Sequence, residues 1–135
     1  MTEHDNFHSV NILVVEDEVF SLKFISRILS KLGIAKVHEA HDGAEAISLL
    51  EDSDISIDLV ISDIEMPNMD GYELVRRIRY GVVPKYQNIP ILMLTGQDTN
   101  ENVSKARIHK IQGYIVKPPK VDQIEFYLKQ ALGMS

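Results

Sequence analysis

Ile57-Asp58-Leu59-Val60-Ile61-Ser62-Asp63-Ile64-Glu65-Met66-Pro67-Asn68-Met69-Asp70-Gly71 is the stretch that decides the fold. An apolar, β-branched run ends on a carboxylate, and a loop with Met-Pro and Asp-Gly follows. Such a run reads as a strand buried on both sides. Asp63 then stands where the strand meets water. A ligand, a nucleophile or a strand-ending turn residue would all fit there.

Working outward, Ile57–Ser62 is one of five expected strands. The others are Val10–Val15, Lys36–Ala40, Ile89–Leu94 and Tyr114–Val116. Helices are expected between and after them. Phe20–Leu32 carries apolar residues at 22, 25, 28, 29 and 32, with Gly33 as its stop. Ala44–Leu50, Tyr72–Arg79 and Asp122–Leu132 show the same period, and Asn100–His109 is the least amphipathic of the five. Strands alternating with helices imply one parallel sheet covered on both faces. Right-handed crossovers leave few topologies, and the commonest small one has strand order 2-1-3-4-5.

The 135 residues fit one domain, at 44% hydrophobic and 25% charged. With no cysteine, disulfides and thiolate chemistry are excluded. A formal charge of −6 argues against a nucleic-acid-binding surface. No apolar run is long enough to cross a bilayer, and Met1–Ser9 lacks a signal peptide's apolar region. The expectation is a cytoplasmic domain over residues 10–133, preceded by a flexible arm over 1–9. His4 and His8 have helical ligand spacing, but no third partner stands near them.

In the 2-1-3-4-5 order the first and third strands flank the topological switch point, where ligands bind beyond the strands' carboxyl ends. Glu16 and Asp17 close the first strand and Asp63 the third. Thr95 closes the fourth and Lys117 the fifth. Two carboxylates ~4 Å apart repel by roughly 4 kcal/mol at an effective dielectric of 20, so the cluster calls for a cation or for raised pKa values. Oxygen-only ligands suit Mg²⁺. Lys117 and the Thr95 hydroxyl add anion-binding groups, and together these make a phosphoryl-binding set with Asp63 as acceptor.

These residues are embedded in Val14-Val15-Glu16-Asp17-Glu18, in Asp63 with Met66-Pro67 and Met69-Asp70-Gly71, in Thr95, and in Tyr114-Ile115-Val116-Lys117-Pro118. In this order and spacing they resemble the receiver domain of bacterial two-component response regulators, over Val10–Leu132. The resemblance implies a three-layer, doubly wound (βα)5 sandwich of flavodoxin-like type. The family itself has the 2-1-3-4-5 order, so topology and resemblance are not independent here.

The resemblance also implies that Asp63 takes a phosphoryl group from a phosphohistidine of a sensor histidine kinase or histidine phosphotransfer protein. Mg²⁺ would be held by Asp17, Asp63 and the backbone carbonyl of Glu65, with Glu16 acting through a water. Thr95 and Lys117 would contact the phosphoryl oxygens. Thr95 and Tyr114 would form the switch that resets the face of the fourth helix, fifth strand and fifth helix toward an output partner, or in a dimer. Pro118, after a cis peptide, and Gly71 would shape the loops. Glu65 and Gln97, each two past a phosphoryl-contacting position, are candidates for tuning the phosphate's lifetime.

On their residue types alone, Glu18 reads as a helix N-terminal carboxylate, Met66 and Met69 as packing, and Arg76, Arg77 and Arg79 as a solvated helix face. Three positions depart from the family pattern: Glu16 in place of aspartate, the bulky Arg107–Gly113 run before the fifth strand, and Pro119 where an aromatic is common. Other readings compete with this one. A degenerate receiver binding partners without phosphorylation conflicts with the intact acceptor set. An aspartyl phosphohydrolase of the haloacid-dehalogenase type needs Asp-x-Asp after the first strand, where this chain has Glu16-Asp17-Glu18. The chemistry expected is self-modification rather than turnover. A free-standing receiver and an N-terminal domain of a longer regulator both fit.

Overall fold

The structure, a computed structural model, describes residues 7–96, 104, 105 and 108–134. Five strands, β1 (Asn11–Val15), β2 (Lys36–Ala40), β3 (Leu59–Asp63), β4 (Ile91–Thr95) and β5 (Gly113–Val116), form one sheet of order β2-β1-β3-β4-β5. All four pairings are parallel. The described helices are α1 (Val19–Lys31), α2 (Gly43–Glu51), α3 (Gly71–Arg79) and α4 (Val121–Ala131), with a 3₁₀ turn at Pro84–Tyr86. Of the helix expected over 100–109, Ser104, Lys105, Ile108 and His109 are helical. Its other residues lie outside the described ones.

Strand periodicity sorts the core into two layers. Ile12, Val14, Leu59, Ile61, Leu92 and Leu94 point to the side covered by α1 and α4, where they meet Leu22, Ile25, Ile124 and Leu128. Leu13, Val15, Val60, Ile91 and Met93 point to the opposite side, under Ala46, Leu50, Leu74, Val75 and Ile78 of α2 and α3. Both faces of the central strands are therefore dry, which is why their sequences are continuously apolar rather than alternating.

Local chemistry sets the element ends. Pro90 has no N–H to donate, so β4 begins at Ile91 rather than Ile89, and the Ile91 N–H is taken by Gln112 Oε1 at 2.7 Å. β3 begins at Leu59 and extends through Asp63, which registers with Leu94. α1 ends into Gly33 at φ +93°, with the Ile34 N–H reaching back to the Leu29 carbonyl.

The arm expected over residues 1–9 is corrected at its end. Phe7 is fully buried among Val10, Leu29 and Ile34, and the Val10 N–H donates to its carbonyl. A large aromatic gains too much by leaving water to stay outside an available core. Among the described residues, packing thus extends back to Phe7, three positions before Val10. His8 is exposed, and His4 lies outside the described residues.

Arg79 is the second correction. Arg76 and Arg77 lie on the solvated face and pair with Glu73. Arg79 instead turns inward and donates to three carbonyls, His109 at 3.1 Å, Lys110 at 2.9 Å and Gln87 at 3.0 Å. Desolvation lowers its guanidinium pKa. It is a tie between α3 and the segment leading into β5.

Candidate functional site

Parallel strands end on the same rim, and the register brings the expected residues there together. β1 runs out into Glu16 and Asp17, β3 ends on Asp63, β4 on Thr95, and β5 is followed at once by Lys117. One carboxylate oxygen each from Glu16, Asp17 and Asp63 lies within 4.8 Å of the others. Asp17 is exposed, whereas Asp63 and Thr95 are buried and Glu16 is fully so.

A buried carboxylate needs partners for both oxygens. Glu16 Oε1 accepts from Lys117 Nζ at 2.8 Å, and its Oε2 accepts from the Glu18 N–H at 3.1 Å. Lys117 Nζ also lies 3.1 Å from Asp63 Oδ2. Burial works against the Lys117 charge, but the hydrogen bonds to Glu16 and Asp63 outweigh it and raise its pKa. One ammonium thus spans two of the three carboxylates.

The backbone around the site is equally constrained. The Lys117 N–H donates to the Thr95 carbonyl at 2.8 Å, joining the ends of β4 and β5. The Lys117–Pro118 peptide is cis. Glu18 caps α1, its carboxylate accepting from the Phe20 and Ser21 N–H groups, and these bonds lower its pKa. The N-terminal reading of Glu18 therefore holds. After β3 the loop turns through Asn68, at φ +69°, and Asp70 caps α3 by accepting from the Glu73 N–H. Gly71 packs directly on the Asp63 carbonyl, so any side chain there would overlap the backbone at the end of β3. Met66 is buried, and Met69 lies against Gly43 at the start of α2. Both methionines pack, as expected.

Tyr114 is half-buried, and its hydroxyl meets that of Tyr72 at 2.9 Å. Burial, then the bond to Tyr72, raises its phenol pKa well beyond the ordinary range. Tyr72 was not among the expected site residues, since nothing in its neighbourhood marks it as a partner for a residue 42 positions away. Glu65 is exposed. Gln97 lies outside the described residues.

The donor set fits a hard divalent cation. It is all oxygen, and three carboxylates against one ammonium leave a formal charge of two minus. This rim of acid, hydroxyl and lysine stands at the switch point of a doubly wound sheet, where α/β proteins of this architecture place their ligands.

Comparison with known proteins narrows the class. The model of the response regulator receiver domain family matches residues 12–129. The chain belongs to this family, and it is a receiver of the type used in two-component signalling. It is 34% identical over 124 residues to a chemotaxis protein CheY homolog of Campylobacter jejuni, covering 92% of this chain and 93% of that one. It is 33% identical over 110 residues to chemotaxis protein CheY-3 of Vibrio cholerae, covering 82% of each. The solved structure of V. cholerae chemotaxis protein CheY4 superposes with a TM-score of 0.81 at 30% identity, over 92% of this chain and 99% of that one. Among the described residues, no helix is long and apolar enough to cross a membrane.

Proposed function

We propose that Asp63 is the phospho-acceptor of this receiver. An Asp63 carboxylate oxygen attacks the phosphorus of a phosphohistidine on a sensor kinase or phosphotransfer protein. The O–P bond forms as the N–P bond breaks, and the freed imidazole takes a proton from water. Asp17, Asp63 and the backbone carbonyl of Glu65 would hold Mg²⁺, with Glu16 acting through a water, and the ion would supply positive charge to the phosphoryl oxygens. Lys117 supplies the protein's own cation, and the Thr95 hydroxyl the neutral donor. The observation that carries this reading is Lys117 Nζ at 3.1 Å from Asp63 and 2.8 Å from Glu16, beside Asp17 in a single carboxylate cluster.

A protein donor rather than only a small molecule is supported by the surface beside the site. A groove of about 630 Å³ runs from Lys117 and Pro118 along α1, lined by Phe24 and by Phe20, which is 83% exposed. An apolar surface at the mouth of an ionic site suits a protein partner. Phosphorylation adds about −1.5 to −2 charge on Asp63. Thr95 and Tyr114 then carry the change toward β5 and its flanking helices, shifting an existing equilibrium toward the form an output partner recognises. The module acts in the cytoplasm and modifies only itself.

The test is incubation with acetyl phosphate and Mg²⁺, read by mass spectrometry. One phosphoryl group is expected on the wild type and none on Asp63→Asn. A wild type that takes no label from any donor or metal would return the chain to a phosphorylation-independent binding role. Glu65→Ala and Gln97→Ala are each expected to change the rate of dephosphorylation, and an unchanged rate removes that residue from the tuning role.

A further inference from the structure

A second groove, of about 260 Å³, lies away from the phosphoryl site, between the end of α3 and the segment that closes at Lys110. Its chemistry is one-sided. Arg76, Arg79, His109 and Lys110 line it, and among the described residues no carboxylate does. Arg76 is paired with Glu73. Arg79 spends its donors on neutral carbonyls, so its charge is ordered but not cancelled. Neither Arg79 nor Lys110 has a carboxylate partner among the described residues. Two large apolar side chains flank the cations: Tyr80 is 85% exposed and Ile108 is 73% exposed. On a domain whose net charge is −6, a concave site that is locally positive and edged by apolar side chains stands against the general trend.

We propose that this groove is a docking site for an acidic amphipathic segment of a partner protein, its carboxylates meeting Arg79 and Lys110 and its apolar residues covering Tyr80 and Ile108. Charge complementarity selects the sign of the occupant. The apolar flanks, Tyr80 and Ile108, select a protein segment over nucleic acid. Arg79 holds the groove's two walls together, so the occupant meets a preformed surface rather than one it must assemble. The site is independent of Asp63 chemistry, because every residue it uses lies outside the carboxylate rim.

The experiment is an NMR titration of the isotope-labelled, unphosphorylated chain with a synthetic acidic amphipathic peptide, alongside its charge-inverted lysine counterpart and a single-stranded oligonucleotide. Saturable shifts confined to 76–80 and 108–110 are expected with the acidic peptide alone. Lys110→Glu and Ile108→Asp, both at exposed positions, are each expected to weaken binding about tenfold, or ~1.4 kcal/mol, with thermal unfolding unchanged. The proposal is overturned by any of four results: no shifts up to the peptide's solubility limit, shifts centred elsewhere, tighter binding of the oligonucleotide at these residues, or concentration-dependent shifts without peptide, which would make the occupant a second copy of the chain.

Discussion

The hydroxyls of Tyr72 and Tyr114 meet at 2.9 Å, joining the first turn of α3 to β5. Tyr72 directly follows Gly71, whose backbone lies on the Asp63 carbonyl. The His109 ring is 5.9 Å from the Tyr72 ring, and Lys105 Nζ is 4.3 Å above it. The proposed acceptor, α3, the segment before β5 and the proposed switch aromatic are thus in continuous physical contact.

The two hydroxyls form one bond, so Tyr72→Phe and Tyr114→Phe are each expected to destabilise by about 1 kcal/mol. The double variant should cost little more than either single one, leaving a coupling energy of about 1 kcal/mol in the cycle. Urea unfolding of the four proteins measures it. Strictly additive losses would show that the hydroxyls act separately.

The pH dependence follows from the same bond. The folded chain holds the Tyr114 proton more tightly than the unfolded chain, where a phenol ionises near ~10. The folded pKa is raised, so this contribution to stability is complete below ~10 and is lost as pH climbs beyond it. Lys117, also raised, acts in the same direction and the same alkaline range. Denaturation midpoints should therefore fall more steeply above ~10 for the wild type than for Tyr114→Phe. Parallel curves would remove Tyr114 from the account.

Lys117 is the cation for the fully buried Glu16. Lys117→Met leaves that carboxylate with a single backbone partner. The expected loss is about 2–3 kcal/mol, below that of a fully buried pair because the lysine is partly exposed. Glu16→Gln in the Lys117→Met background removes the stranded charge and should recover part of the loss. Thermal unfolding of both variants checks this. No recovery would mean that the cost of Lys117→Met lies in packing rather than charge.

Mg²⁺ should stabilise the wild type in proportion to occupancy, by about 2.7 kcal/mol at a hundredfold excess over its dissociation constant. Asp17 is exposed and takes no part in the buried Lys117 network, so Asp17→Asn should keep its metal-free stability and lose the Mg²⁺ increment. Melting temperatures with and without Mg²⁺ and with a chelator make the comparison. An undiminished shift in Asp17→Asn would place the ion elsewhere.

The central strands were legible because burial on both faces leaves an unbroken apolar signature, as in Leu59-Val60-Ile61 and Ile91-Leu92-Met93-Leu94. The carboxylate cluster was legible because parallel strands end on one rim, where Glu16 and Asp17 directly follow β1 and Asp63 ends β3. Other features depend on information that is not local. Arg79 looks like Arg76 and Arg77 in composition, yet it lies one turn beyond buried Val75 and falls on the inner edge of α3. That spacing was a usable signal, whereas its three carbonyl partners were not, since they come from segments with no pattern of their own. Phe7 is a lone aromatic in a polar stretch, and its burial is decided by a gap in packing near α1 that only the fold creates. Tyr72 and Tyr114 meet only after the sheet has set the distance between α3 and β5.

Gly71 offers the sharpest separation between fold and site. Its α-carbon hydrogen faces the Asp63 carbonyl, and a methyl group there would collide with that oxygen, the Ile64 backbone and the Met93 side chain. The methionine end can swing aside, but the backbone atoms belong to β3 and its exit and cannot. Its N–H also donates to the Ile64 carbonyl at 2.7 Å, so the turn cannot open without losing that bond. Gly71→Ala is expected to destabilise by about 3 kcal/mol, at the upper end for an overpacked site. It should also push the Asp63 backbone out of line with Asp17, lowering Mg²⁺ affinity and acetyl-phosphate labelling together. Gly96→Ala, where an added methyl meets none of the described residues within 4 Å, is the matched control and should change stability little. Unfolding free energies and labelling rates for the pair decide the matter. A Gly71→Ala protein as stable as the wild type would mean that the loop after β3 can relax away from Asp63.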